Sequence, residues 1–217
     1  MTSVSAPTER PESPVRLEAR SEHALSRWLW LVKWLLAIPH YIVMALLGIA
    51  FFLVTVVAFF AILFTTRYPR ALFDFNVGVL RWGWRVSYYS YGTLGTDRYP
   101  PFTLADVPDY PAHLEIAYPE QPLSRGLVLV KWWLLAIPQY ILVSMLAGGS
   151  YLSGSGGLAA ALTFFAGISL LFTGRYPRGM YDLNIGVHRW AARVAAYAFL
   201  MTDTYPPFRL DQGESES

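Results

Sequence analysis

The sequence predicts a mainly α-helical integral membrane protein made of two tandem repeats. Each repeat is expected to form a transmembrane helical hairpin and an amphipathic helix at the membrane interface, with possible short cytoplasmic β-strands. The prediction rests on composition, an internal repeat and the placement of basic residues. Of the 217 residues, 54% are hydrophobic and 15% are charged, whereas about 25% charged is usual in soluble domains. A surface of this composition would be too apolar for water.

Two copies of one unit occupy nearly the whole chain. We assign repeat 1 to 14–104 and repeat 2 to 111–210, joined by 105–110, with a disordered tail at 1–13 and an acidic tail at 211–217. The matching blocks follow the same order in both copies: Pro14–Glu18 with Pro111–Glu115, Ser26-Arg27 with Ser124-Arg125, KWLLAIPHYI with KWWLLAIPQYI, 64–86 with 172–194, and DRYPPFTL with DTYPPFRL. Five ordered blocks establish a duplication.

The pattern SR…KWLLAIP…RYPR…D.N.GV.RW..RV…D.YPPF resembles the bacterial membrane family catalogued as domain of unknown function 4389. The resemblance covers nearly the whole chain, and its segment from RYPR to YPPF is specific. It implies a multi-span bacterial membrane protein that is often duplicated. It implies no activity and no catalytic residues.

The apolar stretches are long enough for two short spans in each copy, because one span needs roughly 20 residues. In repeat 1 we place spans at about 28–47 and 49–66, with a tight turn at Gly48. In repeat 2 we place them at about 126–147 and 158–174. The Gly/Ser-rich segment 148–157 between them is typical of a turn.

Basic residues provide an independent test of topology. No Lys or Arg lies near either proposed hairpin tip, so two spans per copy leave all positive charge on one side, as expected for the cytoplasm. We therefore predict a multi-pass protein of the cell membrane with both termini cytoplasmic.

The segments at about 70–95 and 178–201 are predicted to be interfacial helices. On a helix, one polar stripe in each copy would contain an aspartate and two arginines. These residues are Asp74, Arg81 and Arg85, and Asp182, Arg189 and Arg193. The stripe would form an ion-pair ladder between the copies, a polar cavity for a ligand or ion, or a site for anionic lipid.

Three further features have a structural and a functional interpretation. The two RYPR motifs would anchor span ends at the interface or bind anionic head groups; they contribute Arg67, Tyr68, Arg70, Arg175, Tyr176 and Arg178. The DxYPPF motifs would be rigid turns in which Asp caps a neighbouring amide, or recognition loops; they contribute Asp97, Tyr99, Asp203 and Tyr205. Alternating residues at 15–19 and 114–118, and the runs after Phe102 and Phe208, could form short strands that pair across the repeat.

Nothing in the sequence indicates an enzyme, a cofactor or a metal site. His40 aligns with Gln139 and His188 with Leu80, so the copies share no histidine site. No metalloprotease, serine hydrolase, P-loop or dinucleotide motif is present. The net charge of +2 and the lack of a long basic stretch exclude nucleic acid as a partner.

Two functional hypotheses follow. The first is a non-enzymatic membrane scaffold or accessory module whose cytoplasmic face contacts lipids or a protein partner. Its expected partners are membrane lipids, with anionic head groups as candidates, and a second copy of the chain or an unidentified membrane protein. The second hypothesis is a small transporter or channel subunit with a polar path between the repeats.

Overall fold

The computed structural model describes residues 13–22, 25–148 and 157–211. The predicted tails, apart from residues 13 and 211, lie outside these ranges. The ordered elements are β1 (Val15–Ala19), α1 (Lys33–Thr65), α2 (Arg70–Tyr89), β2 (Ala112–Ile116), α3 (Arg125–Val130), α4 (Ile137–Val143), α5 (Leu158–Thr173) and α6 (Arg178–Ala198). π-Helical turns at Lys131–Leu135 and Ser144–Gly148 follow α3 and α4. The described chain is mainly helical with one small sheet.

The two strands pair across the repeat, as predicted, but the second strand is Ala112–Ile116 rather than 114–118. β1 runs antiparallel to β2, with Leu17 opposite Leu114 at the centre. Apolar side chains on one face of the sheet are buried, and charged side chains such as Glu18 and Glu115 lie on the other, the alternation expected of a half-buried sheet. The runs after Phe102 and Phe208 are irregular, so the strand prediction is wrong there.

The elements form three layers. The sheet is the first layer, and its buried face packs on α2 and α6, which form the second. β1 of the first copy contacts α6 of the second, whereas β2 of the second copy contacts α2 of the first. On the other side of the middle layer, α1 packs on α2, and α4 and α5 pack on α6. The third layer exposes apolar side chains along its outer surface.

α1 corrects the prediction of a hairpin in repeat 1. It is one continuous helix of 33 residues, and Gly48, the expected turn, lies inside it. A glycine inside a helix costs only about 1 kcal/mol, and apolar residues flank it on both sides. The turn predicted at 148–157 in repeat 2 falls mostly on residues outside the described ranges.

α2 and α6 begin where the interfacial helices were predicted but end before 95 and 201. Each is followed by a turn with a leucine in the left-handed region, Leu94 at φ 56° and Leu200 at φ 66°. In both helices the exposed side chains lie within the first two turns. The structure therefore places them in the middle of the protein rather than on a membrane-facing surface.

By length and composition, α1 is the one described helix able to cross a membrane by itself. A second candidate is the pair Arg125–Leu135 and Ile137–Ala147, which is bent by 42°. Only 17% of the most apolar window of α1 is buried inside the protein. This is weak evidence of a membrane span, because core helices of soluble proteins pass the same length and composition test.

Candidate functional site

The DxYPPF loops are fastened to the start of the apolar helices by a Lys–Asp pair. Lys33 Nζ lies 2.8 Å from the Asp97 carboxylate and donates to Thr96 O at 2.6 Å. The same carboxylate accepts the backbone N–H of Ser26 at 2.5 Å. The carboxylate thus binds an amide 71 residues away in the sequence, whereas the amide within the loop, Arg98 N–H, donates to Thr96 Oγ1 at 3.0 Å, so the prediction that Asp caps a neighbouring amide is wrong. Lys33 is almost completely buried, so the pair neutralises a charge that would otherwise be costly.

The second copy repeats this arrangement. Lys131 Nζ lies 2.6 Å from the Asp203 carboxylate and donates to Thr202 O at 2.9 Å. Asp203 accepts the backbone N–H of Ser124 at 2.7 Å. In each repeat the serine of SR, the lysine and the aspartate are thus connected by the same hydrogen bonds and ion pair.

His40 and Gln139 have the same role in the two copies. Trp82 Nε1 donates to His40 Nδ1 at 3.2 Å, and Trp190 Nε1 donates to Gln139 Oε1 at 2.9 Å. Gln139 also donates to Pro206 O at 2.9 Å. A histidine that accepts through Nδ1 carries its proton on Nε2 and is neutral. His40 can therefore accept from a tryptophan in copy 1 as Gln139 does in copy 2.

Aromatic side chains of the loops cover this contact. Phe102 stacks on His40 with ring centroids 4.0 Å apart, and Tyr99 donates to Leu36 O of α1 at 3.1 Å. In the second copy, Tyr205 packs edge-on against Tyr197 at 5.5 Å. Tyr99 and Tyr205 therefore lie against helices.

The buried arginines of the predicted stripe bind the loops that follow the YPPF motifs. Arg85 donates to Ala105 O at 2.9 Å and to Thr103 O. Arg193 donates to Asp211 O at 3.1 Å and to Arg209 O. Burial, followed by the neighbouring Arg209, lowers the pKa of Arg193 to about 10, so the guanidinium remains charged at neutral pH.

The other two arginines connect the copies. Arg81 Nε donates to Leu114 O of β2 at 3.1 Å, and Arg189 Nε donates to Leu17 O of β1 at 3.2 Å. Leu17 and Leu114 are partners in the sheet. Each helix therefore binds the strand contributed by the other copy, about one pseudo-twofold axis.

The two aspartates of the stripe are not part of these contacts. Asp74 is exposed and pairs with Arg70 at 3.3 Å within the same helix, and Asp182 is exposed near the start of α6. The predicted ion-pair ladder is therefore wrong for the described residues: the four arginines donate to backbone carbonyls, and the carboxylate beside Arg81 is that of Asp106, at 3.8 Å, rather than one of the stripe. Sequence spacing along one helix gives no information on distant carbonyl groups.

A family model, described as a domain of unknown function (DUF4389), matches residues 27–103 and residues 128–209. The chain belongs to the DUF4389 family. No curated protein and no solved structure matches it. The matched DUF4389 ranges include the Lys–Asp pairs and the YPPF loops, and the two strands lie outside these ranges.

In both DUF4389 copies a glycine of the middle-layer helix packs against the loop that follows the YPPF motif. A Cβ on Gly78 would lie 2.9 Å from Leu104 Cβ, and one on Gly186 would lie 2.8 Å from Leu210 Cβ. These distances are shorter than van der Waals contact. The loop can reach the arginine carbonyl contacts only because the helix has no side chain there.

The tyrosines of the two DUF4389 RYPR motifs point into the protein. Tyr68 is buried and accepts from Asn76 Nδ2 at 2.9 Å, and Tyr176 donates to Thr93 O at 2.8 Å. Both tyrosines are therefore bonded within the protein. The arginines of the motifs, Arg67, Arg70, Arg175 and Arg178, are exposed.

Sequence reasoning missed one polar junction between the DUF4389 copies. The carbonyl of Gly92 accepts from Asn184 Nδ2 and Thr163 Oγ1, both at 3.0 Å, and lies 3.1 Å from His188 Nε2. Burial lowers the pKa of His188. In the sequence, this junction is indicated by His188, which replaces the apolar Leu80 of copy 1.

The charged face of the sheet contains an open cleft of about 220 Å³. Its lining includes Arg16, Glu18, Asp106, His113 and Glu115. In the part of the chain that the structure describes, no group of three His, Cys, Asp or Glu side chains is placed to bind a metal ion. The cleft presents charges of both signs to solvent.

Proposed function

We propose that the chain is a non-enzymatic membrane module, a scaffold or accessory subunit that binds lipid through its third layer and presents the charged sheet to a partner. The observation that supports this most directly is the contrast between its two outer faces. One face exposes charged side chains of the sheet, whereas the other exposes large apolar side chains along the whole of α1. Exposed apolar surfaces of this extent are typical of membrane or protein interfaces.

The partner we propose for the charged face is a membrane protein or a second copy of the chain. The face carries Arg16 and Glu18 on one strand and Glu115 on the other, and the cleft adds His113 and Asp106. Mixed charges favour specific recognition of a complementary protein surface more than binding of a uniformly anionic one.

The arrangement of the arginines does not support the transporter hypothesis. A permeation path would need polar groups free to meet the transported species. Arg85 and Arg193 instead donate to loop carbonyls, and Arg81 and Arg189 donate to strand carbonyls.

The membrane part of the proposal is tested by flotation of the purified chain with phosphatidylcholine–phosphatidylglycerol vesicles. We expect it to remain with the vesicles in high salt and in alkaline carbonate, because apolar burial does not depend on charge. Release by either wash would contradict the proposal.

The scaffold part is tested by a photo-crosslinking residue at Glu115 in native membranes. We expect one discrete adduct with protein. The adduct should be lost in the double variant Arg16→Glu/Glu18→Arg, which exchanges the two charges. The same group at Ile49 on α1 is the matched control and should react with lipid. Lipid adducts alone at Glu115 would contradict the scaffold proposal.

A further inference from the structure

We infer that α1 lies in the plane of the membrane, with its exposed face sunk into one leaflet, and that it does not cross the bilayer. The inference rests on the proposed membrane association and specifies how the lipid is bound. The occupant of the apolar face is thus the acyl-chain region of a single leaflet.

The first argument concerns the depth of the charged sheet. On one side, α2 contacts α1 through Met44 beside Gly83 and through Thr55 bonded to Asn76. On the other side, Arg81 of α2 bonds to Leu114 of the sheet. The sheet is therefore level with the middle of α1.

An upright α1 would place this sheet at the depth of the hydrocarbon core. The charged side chains Arg16, Glu18 and Glu115 would then face lipid, and each charged side chain at that depth costs about 3 kcal/mol on the insertion scale. With α1 in the plane, the same residues lie in water on the side away from the membrane.

The second argument concerns the ends of α1. Arg27 lies before α1, and its side chain is close to Gly174 at the end of α5. Arg125 donates to Phe64 O at the other end of α1 at 3.1 Å, beside the exposed Arg67. Both ends of α1 are therefore basic. Basic residues prefer one side of a membrane, and a continuous helix satisfies this preference only when it lies in the plane.

The third argument is length. Helix α1 has 33 residues and is about 50 Å long, whereas the hydrocarbon core is only about 30 Å thick. Large apolar side chains are exposed from Trp34 to Phe64. An upright helix would leave apolar turns in water at its ends, whereas a helix in the plane places the whole face in lipid.

A fluorescence depth measurement tests the inference. The chain contains no cysteine, so a single Cys can carry bimane at Ile42, Ile49 or Phe60, which share the exposed face. The label is quenched by lipids that carry a doxyl group at a shallow or a deep position of the acyl chain. The vesicles contain phosphatidylcholine and phosphatidylglycerol.

We expect the three positions to give the same ratio of shallow to deep quenching, within about twofold, with shallow quenching stronger. A label at Glu18 on the sheet is the control and should not be quenched by either lipid. A graded profile in which Ile49 is the deepest position would overturn the inference, because Ile49 lies at the centre of α1.

Sidedness provides a second readout. In inside-out membrane vesicles, an impermeant maleimide should label Cys at Arg27 and Cys at Arg67 equally, and neither should react in intact cells. Labelling of the two positions from opposite sides would overturn the inference. Both outcomes require membrane-bound protein, so failure of the flotation test is a separate result that would remove the proposed function itself.

Discussion

The first apolar helix of copy 1 and its counterpart in copy 2 differ by one residue near their start. Copy 1 reads KWLLAIP from Lys33, and copy 2 reads KWWLLAIP from Lys131. In copy 2 the chain forms a π-helical turn at Lys131–Leu135 and bends by 42° before the next helix. A π-turn contains one more residue than an α-turn, so it absorbs the additional tryptophan.

The contacts on either side of the insertion are the same in both copies. Lys131 pairs with Asp203 and Gln139 accepts from Trp190, as Lys33 pairs with Asp97 and His40 accepts from Trp82. The comparison shows that these two contacts determine the position of the chain. The backbone between the two contacts is α-helical in copy 1 and contains a π-turn in copy 2.

The irregular turn also rearranges backbone hydrogen bonds in copy 2. Two carbonyls there accept from aromatic side chains: Leu129 O from Trp133 Nε1 and Trp132 O from Tyr140 Oη, both at 2.7 Å. The side chains of Trp133 and Tyr140 therefore stabilise the π-turn.

Deletion of one residue in each copy is the strongest test of this comparison. Removal of Leu35 should break either the Lys33 or the His40 contact, because one residue turns a helix by about 100°, and should lower the free energy of unfolding by more than about 3 kcal/mol. Removal of Trp133 should change it by less than about 1 kcal/mol, since the π-turn can become an α-turn. Unfolding in detergent micelles measures both, and equal losses would contradict the comparison.

Truncation of the two aspartates tests whether the copies depend equally on their Lys–Asp pairs. Asp97→Ala and Asp203→Ala each leave a buried lysine without its carboxylate, and each should cost about 3 kcal/mol. Melting in detergent is the measurement. The double variants Lys33→Met/Asp97→Leu and Lys131→Met/Asp203→Leu are matched controls that should recover most of the stability; no recovery would argue against a buried-charge effect.

A size exchange between the copies provides the third test. Trp30 packs on Gly167, and at the corresponding positions Val128 shares a cluster with Phe59. Gly167→Phe should cost about 2 kcal/mol or more by overpacking, and addition of Trp30→Val should restore most of it. A double-mutant cycle measures this coupling; additive losses would show that the two sites do not contact.

His188 and Leu80 predict a difference in pH dependence. Burial lowers the pKa of His188 from its usual 6.5, so the unfolded chain binds more protons, and stability should fall as the pH decreases below about 6.5. Each pKa unit of the shift corresponds to about 1.4 kcal/mol. The melting temperature of His188→Leu between pH 7 and pH 5 should decrease less than that of the native chain; parallel curves would contradict the assignment.

The smallest expected effect is at the ends of α1 and α5. Thr66 and Gly174 both adopt left-handed backbone conformations, at φ 61° and φ 68°. Thr66→Gly should raise the free energy of unfolding by about 0.5 kcal/mol, because relief of strain exceeds the entropy cost of glycine. Gly174→Thr should lower it, since a Cβ there would meet the Arg27 side chain at 2.8 Å. Thermal melts compare the two.

Local patterns predicted the local structure well. The helices predicted to begin at about 70 and 178 begin at Arg70 and Arg178. The alternation of Val15, Leu17 and Ala19 predicted β1 and its partner. The aspartates of DxYPPF were expected to cap a neighbouring amide, but they bind the distant Ser26 and Ser124 amides instead.

The turn at Gly48 and the ion-pair ladder were predicted wrongly. Gly48 was expected to form a turn by analogy with the glycine-rich segment of copy 2, but one glycine among leucines and phenylalanines does not interrupt a helix. The arginine stripe was expected to form an ion-pair ladder, a polar cavity or a lipid site, but its arginines donate to the backbone carbonyls of Leu17, Leu114, Thr103 and Arg209 on distant segments. Because every residue has a backbone carbonyl, the residue types of those partners do not indicate which of them an arginine will bind.

The exchanged strands have a consequence for how such a chain can be assembled. The strand of each copy pairs with the other strand and binds an arginine of the other copy. A chain with one copy would therefore leave β1 without a partner strand and the strand-binding arginine without its carbonyl acceptor. Two such chains would complete each other by swapping strands, and the segment at 105–110 would then be a fusion joint between the halves of an ancestral homodimer. Separate expression of 13–104 and 105–211 in one cell should therefore yield a co-purifying heterodimer, whereas 13–104 alone should self-associate.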